Sequence, residues 1–428
     1  MKYRIVSLGC PKNLVDSEYM AGRLDMAGHE LADDAGLVVI NTCAFIADAC
    51  SQSIETILGE AQKAGERKLV VAGCLVDRYG EKLRDLLPEV DLFLGRDAYG
   101  KIESLVAQKG FFSQGAEGPD GLCCAPLPRR VLTQAPTAYL RIQDGCDNRC
   151  SYCTIPSIRG PLRSRPPEEI EEELGRLLDG GFREFNLIGQ DTTSYGRDRG
   201  TDIKRLLARL LAVKGDYFMR LLYMHPKGID DGLLDVMAGD DRIIPYFDIP
   251  IQHSEDGILA SMNRGYSRQW LSEVFGKVRS RMPDSVLRTT VMVGYPGEGP
   301  AHFSALCEFI SECEFDNLGA FVYSREDGTA AARLKGQVRK GVKKERYRTI
   351  MELQKEISKR RLGRLQGRTL KVVVEACEAD GMTGRLLLQA PDIDGIAFIK
   401  GACKVGEIRT GVVSRTTDYD VVVELGGA

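Results

Sequence analysis

The chain has 428 residues, 28% charged and 43% hydrophobic, with a formal net charge of −3. That length predicts two or three domains; the near balance of charge gives no bulk pull toward nucleic acid, and no apolar run reaches the length of a membrane span. Thirteen cysteines follow an N-terminus, MKYRIVSLGCPKN, that lacks the apolar stretch of a secretory signal. Together they point to a reducing compartment, the cytoplasm, where cysteines serve metals or catalysis rather than disulfides.

Residues 1–107 read as an open α/β domain. RIVSL, LVVIN and LVVAG are short apolar runs expected as buried parallel strands, with helices predicted over 14–27 and 50–64. Cys10, Cys43 and Cys74 each follow one of those strands. Parallel strands end on one sheet edge, where open α/β domains bind ligands, so the three are expected to converge as a three-thiolate site. The alternative is that each is a small buried residue. Cys50, about two turns into the helical region after Cys43, reads as packing.

Residues 108–134 carry glycines and prolines without periodicity and read as a linker. Cys123 and Cys124 lie there; adjacent side chains diverge in extended chain, and neither receives a role.

Residues 135–362 repeat strand and helix about six times, which predicts a parallel sheet curved into an α/β barrel with its site at the C-terminal strand ends. The helix at 167–179 opens with prolines and glutamates and spaces Ile170, Leu174, Leu177 and Leu178 on one face. A second helix is expected around 268–281, and a long charged one over 339–362. Residues 363–428 change character to about five short strands separated by glycines, a small antiparallel β-barrel. From 364 on, that segment holds eight Lys or Arg and nine Asp or Glu, so it reads as a surface for a protein partner rather than for a phosphate backbone.

The densest chemical signal is GCDNRCSYC, which places Cys146, Cys150 and Cys153 in a C-x3-C-x2-C run just past the strand YLRIQ. A four-iron cluster usually takes four cysteines; three leave one iron open to a small molecule. Zinc would call for a fourth cysteine or a histidine, and none lies between Thr133 and Arg220. An open cluster beside an α/β barrel predicts reductive radical chemistry on S-adenosylmethionine, the cofactor carrying the reactivity and the protein positioning it. Cofactor contacts are expected from Tyr152, inside the triplet; from Gln190 and Asp191, just past a strand; from Arg163, flanked by Arg159 and Arg165, as a carboxylate-holding group; and from Gly294 in VGYPGEG, where a glycine would let the chain approach a nucleoside. His253, in IQHSED, either orients substrate or satisfies backbone groups.

These motifs, in this order, resemble those of the radical-SAM methylthiotransferases over nearly the whole chain. SLGCPKN, NTCAFI and VAGC match the family's N-terminal cluster domain. GCDNRCSYCTIPSIRGPLRSR, PIQHSED followed by MNRGYS, and VGYPGE match its centre, and the tail resembles the small barrel called TRAM. The resemblance implies two [4Fe-4S] clusters, one on Cys146, Cys150 and Cys153 and one on Cys10, Cys43 and Cys74. GCPKNLVDSE and LIGQDTTSYG resemble the branch that modifies the β-carbon of an aspartate in small-subunit ribosomal protein twelve. The other branch modifies N6-isopentenyladenosine in tRNA. The resemblance implies two uses of S-adenosylmethionine, as methyl donor to sulfur and as source of a 5′-deoxyadenosyl radical that abstracts the β-hydrogen. The implied partners are the ribosomal protein, free or in the ribosome, an external one-electron donor and a sulfur donor, with neither tRNA nor a membrane.

Overall fold

In a computed structural model that describes residues 1–63, 67–113, 128–379 and 381–426, the first strands form a six-stranded parallel sheet in the order β2-β1-β3-β4-β5-β6. These are β1 (Lys2–Ser7), β2 (Glu30–Leu31), β3 (Leu37–Thr42), β4 (Lys68–Gly73), β5 (Leu92–Leu94) and β6 (Gly110–Phe112), connected through α1 (Pro11–Met26), α2 (Ala47–Ala61), α3 (Cys74–Tyr79), α4 (Lys82–Leu86) and α5 (Ile102–Leu105). β3 is buried along its whole length because both faces of the sheet are covered. Val38 and Ile40 enter one core with Ile57 of α2, while Leu37 and Val39 enter the other with Met20 and Leu24 of α1. The linker expected from residue 108 begins later: β6 pairs with β5 and closes the sheet edge. Three residues carry too little periodicity to announce a strand, which exists only through that pairing. Cys123 and Cys124 lie outside the described residues.

The second unit takes up β7 (Thr137–Arg141), β8 (Gln143–Asp144), α6 (Ile155–Arg159), β9 (Arg163–Ser164), α7 (Pro167–Asp179), β10 (Glu184–Ile188), α8 (Ile203–Ala212), β11 (Phe218–Leu221), α9 (Asp231–Ala238), β12 (Tyr246–Asp248), α10 (Asp256–Ser261), α11 (Arg268–Arg281), β13 (Val286–Val293), α12 (Pro300–Cys313), β14 (Asn317–Val322) and α13 (Lys340–Gly363). The strands run parallel in two sets, β7-β10-β11 and β12-β13-β14, joined by the bridge between Met219 and Ile243. β7 and β14 are not paired among the described residues, so the α/β barrel is open. The helices start where capping dictates: Asp202 accepts from the Arg205 N–H and Ser267 from the Trp270 N–H. Ile350 and Ile357 of α13 are buried against the barrel, with Leu353 half-buried beside them.

The tail forms a closed barrel, β15-β16-β17-β19-β18, from β15 (Thr369–Glu378), β16 (Gly381–Leu386), β17 (Ala397–Lys400), β18 (Ile408–Thr416) and β19 (Val421–Leu425). It is antiparallel except where β17 meets β19, which run parallel. Alternating strand directions cannot close around an odd number of strands, so one parallel pair is required.

Candidate active site

α1 begins at Pro11, which suits the first helical position, and its N-cap, Cys10, makes no side-chain capping bond. The thiol is therefore left to other partners. Gly9, at φ +90°, lets this loop meet the next: a Cβ there would lie 2.6 Å from Cys43 Cβ. Cys43 follows β3, and its N–H and carbonyl are both bonded to the Ser53 hydroxyl of α2. Cys74 opens α3 directly after β4 and is buried. Asn13 ties the three loops together. Its Nδ2 donates to the carbonyls of Leu8 and Thr42 at 2.9 Å, and its Oδ1 accepts from Arg159 at 2.6 Å and from the Cys74 thiol at 3.7 Å.

The second triplet hangs on a loop after β8, opposite these strand ends. The Cys146 N–H bonds the Gly160 carbonyl and the Cys153 N–H the Cys150 carbonyl. Asn263 Nδ2 holds the Arg149 carbonyl at 2.7 Å, and Arg264 Nη1 donates to Cys150 Sγ at 3.3 Å while its other nitrogens reach Tyr266 and the Pro250 carbonyl. All six cysteines line one cavity of about 540 Å³, walled also by Lys12, Tyr152, Gln190, Tyr223 and Arg264.

The donor chemistry suits thiophilic clusters. Burial pushes the Cys74 and Cys146 thiols up to about 11 and Cys153 to about 12, so their ionised forms call for a bound cation. Each triplet offers soft ligands with no fourth cysteine on the cavity wall. Among the described residues no three His, Cys, Asp or Glu side chains gather as a lone ion would require. Buried Gln190 Oε1 has no hydrogen-bond partner, leaving an acceptor for a bound molecule.

The other expected contacts divide. Tyr152, Gln190 and Asp191 line the cavity. Tyr152 packs with Tyr295 and Tyr323. Asp191 is engaged with the protein: it accepts from Asn148 of the cysteine loop at 2.7 Å and from the Thr193 N–H and hydroxyl. Arg163 does not line the cavity; it lies in β9, whose backbone pairs Asp144 of β8. The carboxylate-holding role expected of this arginine run is taken up by protein carboxylates. Arg159 bonds Asp16 and Asp144, each at 3.0 Å, and Arg165 bonds Glu173. Gly294 is also off the wall. A Cβ there would meet Lys343 Cγ at 2.4 Å, so its close neighbour is a side chain of α13 rather than a nucleoside. His253 is buried, accepts from the Glu255 N–H at 3.0 Å, and is pushed down to about 3 by burial, which makes it a neutral structural group.

Sequence reasoning gave no role to Lys12, Asn13, Tyr223, Gln252 or Arg264. Lys12 and Asn13 stand beside Cys10 in GCPKN, and Arg264 stands in MNRGYS. Tyr223 and Gln252, at φ 59° and 66°, hold a left-handed backbone uncommon for such residues and found at functional sites. That signal exists only in three dimensions.

Three family models match in order: "Uncharacterized protein family UPF0004" over 2–95, "Radical SAM superfamily" over 140–310 and "TRAM domain" over 367–425. Among solved structures, the radical S-adenosylmethionine methyltransferase TsrM from Kitasatospora setae, with cobalamin and a [4Fe-4S] cluster bound, shares the fold. Its TM-score is 0.58 at 14% identity, covering 77% of this chain and 76% of that one. A protein from Geobacter sulfurreducens named "Ribosomal protein uS12 methylthiotransferase RimO" is 42% identical over 99% of this chain and 98% of its own. One of the same name from Thermotoga maritima is 40% identical over 98% and 99%. Identity at that level from end to end, with all three regions matched, means that the chain belongs to the RimO family of radical-SAM methylthiotransferases.

Proposed function

We propose that the protein inserts a methylthio group at the β-carbon of an aspartate in ribosomal protein uS12, giving 3-methylthioaspartate. The observation that carries this reading is the meeting of two three-thiol sets from different domains in one cavity. Cys146, Cys150 and Cys153 would hold the radical-SAM [4Fe-4S] cluster, and Cys10, Cys43 and Cys74 a second one. With S-adenosylmethionine bound, those groups supply a carbon-centred radical able to break an unactivated C–H bond, and a methylthio unit to replace the hydrogen.

The chain's own residues bind, orient and shield. Arg264 donates to Cys150 Sγ and Arg159 approaches Cys74 Sγ at 3.7 Å, so each triplet has a buried guanidinium beside one sulfur. Gln190 offers its free Oε1 to a ligand on the wall, and Tyr152 offers an apolar face. Phe45 and Phe321 line the same cavity yet are 40% and 52% exposed, an apolar rim suited to an inserted protein loop. The near-neutral C-terminal barrel fits a protein partner better than a nucleic-acid backbone. An external one-electron donor and a sulfur donor are the remaining co-reactants.

The test is anaerobic reconstitution with uS12 or with tRNA, followed by peptide and nucleoside mass analysis. The expected product is a uS12 fragment whose aspartate has exchanged H for SCH3. A gain confined to tRNA overturns the reading.

A further inference from the structure

Lys12 brings its amine to the cavity wall, where no described carboxylate pairs with it. It follows Cys10 by two residues and is 7% exposed. Its Nζ donates to the Gly189 carbonyl at 3.3 Å and sits 3.3 Å from the centroid of the Tyr223 ring. It makes no ion pair with a described carboxylate. Beside the Cys10 thiol, the two carboxylates whose fields reach it are engaged elsewhere. Asp144 receives Arg96, Arg159 and Gln190, and Asp248 receives the Tyr223 N–H at 2.9 Å and faces Arg288 at 3.7 Å. An ammonium offers three donors, and here one long hydrogen bond and an aromatic face are its partners. Burial disfavours its charged form, and an anionic ligand in the cavity would offset that cost.

Its supports place it deliberately. Gly189 follows β10 and Tyr223 lies two residues past β11, so the amine is held where the N-terminal domain meets the barrel's strand ends, on the wall that both triplets share. The left-handed backbone of Tyr223 is fixed by its N–H to Asp248 and by its carbonyl, which accepts from the Thr192 N–H at 3.0 Å.

If the substrate is an aspartate side chain, its carboxyl carbon is bonded directly to the β-carbon to be modified, so a group that grips the carboxylate also fixes the reacting atom. We propose that Lys12 is the specificity-determining residue that binds the carboxylate of the target aspartate and holds its β-carbon between the two cysteine triplets. This rests on the uS12 reading. The carboxylate of S-adenosylmethionine has the same chemistry, but Lys12 lies two residues past Cys10 on the N-terminal domain's own loop, which favours the peptide.

The experiment uses the reconstituted full-length protein and fluorescent peptides spanning the uS12 target loop, with aspartate or asparagine at the modified position. It reads peptide affinity by anisotropy, S-adenosylmethionine affinity and iron content. The parent should favour the aspartate peptide by on the order of ten- to a hundredfold. Lys12→Met should bind both peptides at the weaker level with iron content and S-adenosylmethionine affinity retained, and Lys12→Arg should keep the preference. A parent that does not distinguish the peptides overturns the proposal without any variant, as does a Lys12→Met protein that still prefers aspartate. Loss of S-adenosylmethionine affinity with the peptide preference intact assigns the cation to the cofactor instead. A parent that binds neither peptide and leaves uS12 unmodified removes the functional reading, and this proposal with it.

Discussion

Arg159 comes from the short helix that follows the central cysteine loop, yet its guanidinium reaches into the first domain, bonded to Asn13 and Asp16 there and to Asp144 of β8, and facing Cys74 Sγ. One side chain thus orders the second triplet's flank and the first triplet's wall. Removing it leaves buried carboxylates short of a partner, although Asp16 keeps Arg141 and Asp144 keeps Arg96. Arg159→Met should therefore cost roughly 3 kcal/mol, the low end for breaking a buried ionic group, read as a shift in the urea midpoint of the apo-protein. An unchanged midpoint would mean that those carboxylates are already satisfied. The cysteines separate by function. Cys150→Ala should lose S-adenosylmethionine cleavage while iron remains at the N-terminal triplet. Cys43→Ala should keep abortive cleavage and lose sulfur insertion; insertion surviving there would refute the second-cluster role. Both triplets were legible in the sequence, one as a local spacing and the other through the rule that parallel strands end on one edge. Lys12 was not, because a lysine in the first turn of a helix looks like a surface cation until another domain closes over it.

At the scale of elements, α7 is where prediction and structure agree best. Its start at Pro167 and its end at Asp179 follow from the prolines and from Gly180, and Ile170, Leu174 and Leu177 pack as their spacing implies. What the spacing could not show is the polar residue on the same helix, Glu173. It is buried against Arg165 at 2.5 Å and Arg129 at 2.7 Å, within reach of the Tyr19 hydroxyl of α1. Burial alone would raise its carboxyl, but the two guanidiniums outweigh that and hold it at about 2. The folded state therefore takes up the proton less readily than the unfolded chain. The stabilisation is complete above the unfolded value of 4.5 and is lost as pH falls toward about 2. A shift of that size corresponds to a few kcal/mol, on the order of 3. Glu173→Gln should lower stability at neutral pH and flatten the acid limb between about pH 4.5 and pH 2, measured as denaturant midpoints across that window. An acid limb as steep as the parent's would place the dependence on other carboxylates. Short elements such as β5, β6 and α6 escaped prediction for the opposite reason: each is fixed by pairing or packing with distant chain rather than by its own pattern.

The three regions of the molecule share a core. Val15 and Tyr19 of α1, Tyr139 and Ile188 of the barrel strands, and Val373, Leu387 and Ala390 of the tail form a single apolar cluster. Polar groups reinforce it. Arg385 of β16 bonds Glu184 of β10 and the Thr137 hydroxyl of β7, and Arg220 of β11 bonds the Leu387 carbonyl. Glu184 and Arg220 are fully buried, so the tail barrel completes their environment rather than resting on an already finished surface. The site is assembled from loops of two domains, so the contacts that join the regions also bear on its geometry. Thermal unfolding should accordingly give one cooperative transition for the apo-protein instead of separate ones for the three regions. Deleting residues 364–428 uncovers the apolar cluster and leaves Glu184 without Arg385, so the truncated chain should melt lower and bind an apolar dye at temperatures where the intact chain does not. Two resolved calorimetric transitions in the intact protein, or a truncated chain of undiminished melting temperature, would show that the barrel is an independent appendage and that the shared core does not couple it to the site.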